Sequence, residues 1–183
     1  MPLLLILAHP ALHRSRANVA LLKALEGVEG LTVHDLYEVY PDYLIDVAAE
    51  QERVRACGGL VFQHPFYWYS APGLLKEWFD LVLTHGFAYG AEGRALRGKP
   101  WLTAITAGGR ESAYGAGGYN RFSIEELLRP IEATAALCGC DWRAPFVVHS
   151  GRLLAAHELT AAANAYRARV RSLIEAIGGE HGP

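Results

Sequence analysis

The spacing of apolar and polar residues changes period repeatedly along this chain, and each change predicts an element. Leu3 to Ala8 is an unbroken apolar run of strand length, the pattern of a central parallel strand covered on both faces. From Asn18 to Leu25, Val19, Leu22 and Leu25 recur at helical spacing, and Gly27 and Gly30 end the segment. Leu31 to Tyr37 reads as a second strand. Asp46 to Cys57 reads as a helix, with Asp46 as its N-cap and Gly58-Gly59 as its stop. Leu60 to Gln63 predicts a third strand, running into His64-Pro65. Pro72 to Leu83 predicts an amphipathic helix with Leu74, Leu75, Trp78, Phe79 and Val82 on one face.

The stretch from Gly86 to Lys99 is rich in glycine and irregular. Trp101 to Thr106 is a fourth strand, followed by a loop from Ala107 to Arg121. Ser123 and Glu126 give the capping-box signal of a helix through Leu137, in which Pro130 marks a kink or break. Trp142 to His149 is a fifth strand, and Glu158 to Ile177 a final Ala-rich helix. Strand–helix alternation of this kind predicts an α/β fold with a parallel sheet and right-handed crossovers.

Composition narrows the class. With 183 residues, 51% of them apolar and 20% charged, one globular domain is expected. A chain of this length buries roughly 70% of its unfolded surface, enough to fold without disulfides or metals. The net charge of −2 argues against a nucleic-acid binder. Cys57, Cys138 and Cys140 offer neither a C-x-x-C pair nor a zinc set, and read as small core side chains in a reducing compartment. The apolar start lacks a basic flank and is too short for a membrane span, so a cytoplasmic protein is expected.

Ligands of open α/β sheets sit beyond the carboxyl ends of the strands. After the first strand, His9-Pro10 and the segment Arg14-Ser15-Arg16-Ala17-Asn18 lead into a helix. Free amides at a helix start, with hydroxyl and basic neighbours, suit a phosphate. After the third strand come Pro65, Phe66, Tyr67, Trp68 and Tyr69. A loop cannot bury all four aromatics, and the exposed ones suit a planar ring or a subunit interface. After the fourth strand, Thr106-Ala107-Gly108-Gly109 permits close backbone approach, with Tyr114 beyond it. No GxGxxG or Walker loop is present, which argues against a Rossmann dehydrogenase or a P-loop enzyme. Structural hydrogen bonding is the expectation for His64, His85 and His149.

These segments together resemble the flavin-binding segments of the flavodoxin-like NAD(P)H quinone reductases, the family of DT-diaphorase-like enzymes and modulators of drug activity. The chain resembles still more closely the ancillary flavoproteins of glutathione-gated potassium-efflux systems. That likeness extends to Leu36-Tyr37, Tyr40-Pro41-Asp42, Ile45 to Gln51, Leu74-Leu75-Lys76 and His85 to Gly90, and fades in the last helix. It implies a three-layer sandwich around a five-stranded parallel sheet in the order 2-1-3-4-5. It also implies that His9, Ser15, Arg16, Ala17 and Asn18 hold the flavin phosphate and ribityl chain. Pro65, Phe66, Tyr67, Trp68 and Tyr69 would line the flavin ring, and Thr106, Ala107, Gly108 and Gly109 would close its other edge. Tyr114 matches the tyrosine that faces the flavin in quinone reductases. The histidine that accompanies it there is replaced by Tyr119 or Asn120, depending on the alignment.

The activity so implied is ping-pong hydride transfer from NAD(P)H through bound flavin to a quinone or similar small electrophile, in a homodimer. FMN is the expected flavin because the chain is short, with FAD as the alternative used by some short relatives. A regulatory role is also implied: binding and activating a potassium-efflux channel, at the inner face of the membrane. A flavodoxin-like electron carrier fits less well, since carriers are usually more acidic than −2 at this size.

Overall fold

The computed structural model describes residues 1–179. Five strands, β1 (Leu3–Leu7), β2 (Leu31–Asp35), β3 (Gly59–Pro65), β4 (Pro100–Thr106) and β5 (Asp141–Val148), form one sheet in the order β2-β1-β3-β4-β5. Every neighbouring pair is parallel. Both faces must therefore be covered, and the continuous apolar runs of β1 and β3 follow from that. Helices α1 (Arg16–Ala24) and α7 (Ala156–Gly179) cover one face, packing Leu21, Tyr166, Val170 and Leu173 on Leu5, Leu7, Val61 and Leu102. Helices α3 (Val47–Ala56), α4 (Gly73–Val82) and α6 (Arg129–Leu137) cover the other, where Val54, Trp78 and Ile131 join Ile6, Phe62, Trp101 and Ile105. The sandwich and strand order implied by the resemblance are those observed.

The element boundaries depart from the predicted ones where a side chain competes for a backbone group. The second strand stops at Asp35 rather than Tyr37. The Asp35 carboxylate accepts from the amide of Tyr37 at 3.0 Å and from that of Glu38, starting the short helix α2 (Leu36–Val39). Helix α1 starts before Asn18, because the Ser15 hydroxyl accepts from the Asn18 amide and caps it at Arg16. The helix expected from Ser123 to Leu137 is two helices, α5 (Ile124–Leu127) and α6, broken ahead of Pro130. The proline lies in the first turn of α6, where a missing N–H costs nothing. The third strand runs on to Pro65, past the expected Gln63.

The sequence shows Glu50 as an ordinary helical glutamate, yet it is fully buried between the sheet and α4. One carboxylate oxygen accepts from the Tyr40 hydroxyl and His34 Nε2, both at 2.8 Å, with Arg53 Nε at 3.4 Å. The other accepts from the Trp78 indole at 2.8 Å. A carboxylate can only accept, so the proton on His34 sits on Nε2. Burial alone would push this carboxyl up. The bonds from His34 and Trp78, the field of His34 and the bond from Tyr40 together outweigh it, leaving the pKa lowered. Burial and the bond to Glu50 in turn push the Tyr40 hydroxyl up to about 12. One side chain thus joins β2, the end of α2, α3 and α4.

Replacing Glu50 with Gln turns an amide donor toward one of these donors, and is expected to cost about 2–4 kcal/mol of unfolding free energy, read by urea denaturation at neutral pH. Because the folded pKa lies below the unfolded one, the carboxylate contributes fully above about pH 4.3. Its contribution is lost as pH falls through the folded value. The acid-side decline in urea midpoint should be shallower in Glu50→Gln than in the wild type. An equally steep decline would remove Glu50 as its source.

Candidate functional site

Parallel strands put the ends of β1, β3, β4 and β5 at one edge of the sheet. The connections of β1 and β3 leave to opposite faces, and a cleft opens between them. Its volume is about 820 Å³, within the roughly 300–1,000 Å³ of small-molecule sites. One end is formed by the turn after β1 and the start of α1, with His9, Arg14, Ser15, Arg16 and Ala17. The other is formed by Pro65, Phe66, Tyr67 and Trp68, and the floor by Thr106, Ala107 and Gly108.

The first end is built to receive negative charge. Helix α1 leaves the amides of Arg16 and Ala17 without intrahelical acceptors. Arg14, Arg16 and Arg152 line the cleft and no carboxylate does, in a chain whose net charge is −2. His9 is buried, and desolvation lowers its pKa, keeping the ring neutral. Its Nδ1 accepts from the Ala11 amide at 3.0 Å, which leaves Nε2–H as the donor.

Asn18 lies beneath the cleft rather than in its lining. Its side-chain amide donates to the Ser15 hydroxyl at 3.1 Å and to the Thr106 hydroxyl at 2.8 Å. The Gln63 amide in turn donates to the Asn18 carbonyl at 3.1 Å. Three residues expected to share one ligand, Ser15, Asn18 and Thr106, are therefore bonded to one another, and Gln63, which was not among those expected, adds β3.

The aromatic end carries backbone strain. Trp68 and Tyr69 occupy the centre of a tight turn closed by the Ser70 amide on the Tyr67 carbonyl at 3.0 Å. Both have positive φ, 49° and 61°, a combination that turns of this shape usually assign to Asn-Gly. Each such residue costs about 1–2 kcal/mol, and strain of this kind collects at ligand sites. Trp68 is 92% exposed, whereas Phe66 is half-buried against the core.

Tyr69, Gly109, Tyr114 and Tyr119 stand around the cleft rather than in its lining. The Tyr69 hydroxyl donates to the Asn120 side chain at 3.0 Å, joining the loops after β3 and β4. A Cβ on Gly109 would lie 3.1 Å from the Tyr119 hydroxyl and 3.3 Å from that of Tyr114, so glycine lets both tyrosines approach. The Tyr114 ring lies 6.4 Å from Phe66 and 5.5 Å from His149, whose buried Nδ1 has no partner among the described residues. Burial raises the Tyr114 pKa, assisted by Tyr119 and Tyr69, so its hydroxyl keeps its proton at neutral pH. His64 lies in the core, driven by desolvation to a pKa of about 4, with Nδ1 bonded to the Pro65 carbonyl at 3.0 Å.

Two lining residues, Gly151 and Arg152, escaped the sequence reading. Both lie just beyond the fifth strand, the same strand-end position that marks the loops after the first, third and fourth. Among the described residues, no helix is long and apolar enough to cross a membrane.

The chain is 48% identical over 176 residues to the glutathione-regulated potassium-efflux system ancillary protein KefG of Yersinia enterocolitica, covering 96% of this chain and 95% of that one. The general stress protein 14 of Treponema denticola, solved in complex with FMN, is 41% identical with a TM-score of 0.90, over 94% of this chain and 99% of the other. A protein of P. pentosaceus described as an NADPH-quinone reductase is 33% identical with a TM-score of 0.85, over 93% and 98%. The model of the family described as having a flavodoxin-like fold matches residues 1–170, and the chain belongs to that family.

Proposed function

We propose that this chain is an FMN-dependent NAD(P)H:quinone oxidoreductase, folded as one flavin-binding domain and working as a homodimer. The observation that carries the reading is the two-ended cleft at the switch point of the sheet. One end has three arginines, open helix amides and no carboxylate; the other has an aromatic turn held under strain. A phosphate-tailed planar ring has that same division of charge and apolar area. The FMN complex of the T. denticola protein and the quinone reductase of P. pentosaceus support the choice of ligand and of reaction.

The flavin, when bound, supplies the two-electron chemistry that accepts hydride from NAD(P)H and delivers it to a quinone or similar electrophile. The chain supplies binding, orientation and protons. Ser15, Arg16 and Ala17 present the helix start to the phosphate, His9 offers Nε2–H, and Asn18 keeps this end in register with Thr106. Pro65, Phe66, Tyr67 and Trp68 form the ring-side wall and Thr106, Ala107 and Gly108 the floor, with Tyr69 and Gly109 supporting them from outside the lining. Tyr114 is the proton donor at the ring end, since burial keeps its hydroxyl protonated at neutral pH. Tyr119, exposed beside it over Gly109, contributes the second hydroxyl at this edge. Trp68 on the loop after β3, and Tyr119 and Phe122 on the loop after β4, are large exposed apolar side chains, which supports a second subunit closing over the site.

A regulatory role is compatible with this activity and rests on the KefG relative, which matches nearly end to end. In that role the protein binds a potassium-efflux channel from the cytoplasmic side. Co-purification with the cytoplasmic part of such a channel tests it, and a protein that elutes alone in every flavin state would argue against it.

Purified protein is expected to absorb near about 450 nm and to release FMN on denaturation. A colourless protein that takes up neither FMN nor FAD would sink the flavin reading, and released FAD would correct the cofactor. Tyr114→Phe is expected to keep its flavin and lose at least about 10-fold in quinone turnover. Unchanged turnover in that variant would remove the hydroxyl from the chemistry.

A further inference from the structure

The loop that follows β5 belongs to the phosphate end of the cleft by construction. The Ser150 amide donates to the Gly109 carbonyl at 2.9 Å and the Gly151 amide to the Ala107 carbonyl at 3.1 Å, stitching the loop to the floor. Ser150 takes a positive φ of 53° to make this bend. Gly151 lies so close to the start of α1 that a Cβ there would meet that of Ala17 at 3.2 Å. The loop is a strap laid directly against the helix N-terminus.

Arg16 holds the strap down. Its guanidinium donates to the carbonyls of Arg152 and Leu154, both at 3.3 Å. A guanidinium committed to two carbonyls has fewer donors left for a ligand, although Arg16 lies in the segment that the sequence assigns to the phosphate. Arg152 is the opposite case. Its carbonyl is one of the two that Arg16 grips, while the residue lines the cleft, as Arg14 does. Its side chain forms no ion pair among the described residues.

We infer that Arg16 and Arg152 divide two tasks: Arg16 positions the strap, and Arg152 supplies charge to the flavin phosphate. The inference rests on the flavin reading above and adds a binding residue from an element outside the three flavin-binding segments. It makes Arg152 the residue by which the site distinguishes the phosphorylated flavin from the bare one. Arg–phosphate pairs are charge-assisted and two-pronged, whereas riboflavin presents no anion to pair with.

The test titrates flavin-free protein with FMN and with riboflavin, following the quenching of flavin fluorescence, alongside amide hydrogen exchange of the strap. In Arg152→Ala, FMN affinity should fall about 10-fold or more while riboflavin affinity stays within about twofold. Strap exchange in the flavin-free protein should stay at the wild-type rate. Arg16→Ala should instead speed exchange at Ser150, Gly151 and Leu154 before any flavin is added. Equal FMN affinity in Arg152→Ala and wild type, or equal losses for the two flavins, would overturn the assignment and leave the flavin reading standing. Unchanged strap exchange in Arg16→Ala would overturn the positioning role. Wild-type protein that binds neither flavin would overturn both the inference and the reading beneath it.

Discussion

The side-chain amide of Asn18 ties together the three segments between which the cleft opens. It donates to Ser15 at the cap of α1 and to Thr106 at the end of β4, while Gln63 of β3 donates to its backbone carbonyl. Asn18 and Gln63 are completely buried, where an unmade hydrogen bond costs about 1–3 kcal/mol. The groups therefore hold one another in a single arrangement, and the helix start, the aromatic turn and the glycine floor inherit their relative positions from it.

Strand direction makes that lattice useful. A wholly parallel sheet delivers its strand ends to one edge, and crossovers leaving to opposite faces part there into a crevice. The crevice exposes backbone amides at a helix start on one side and an aromatic turn on the other. Glu50 performs the complementary service away from the cleft. It satisfies donors from His34, Tyr40 and Trp78, and so fixes α3 and α4 against the sheet edge bearing β2. In both places a polar group is buried because several elements agree on where its partners stand. The strain at Trp68 and Tyr69 is tolerable on the same terms: the turn is held between the end of β3 and the start of α4, and the exposed indole contributes surface rather than packing.

Periodicity and capping chemistry determined much of this protein without reference to its tertiary structure. The apolar runs of β1 and β3, the amphipathic face of α4 and the Ser123–Glu126 box are local patterns, and each produced its element. The loops after β1, β3 and β4 were legible as a site because strand-end position follows from the fold class alone. Tertiary structure decided what depends on distant partners. Glu50 has the same local appearance as its solvated neighbours in α3, and only packing supplies the donors that make it a buried anchor. Arg16 and Arg152 are alike as residues, and 136 positions separate them in the chain. Both line the cleft, and that Arg16 also grips the backbone of Arg152 and Leu154 follows from where the end of β5 meets the start of α1. Local preference acts over a few residues, whereas a buried charge or an arginine finds its partner only once the chain has brought remote segments together.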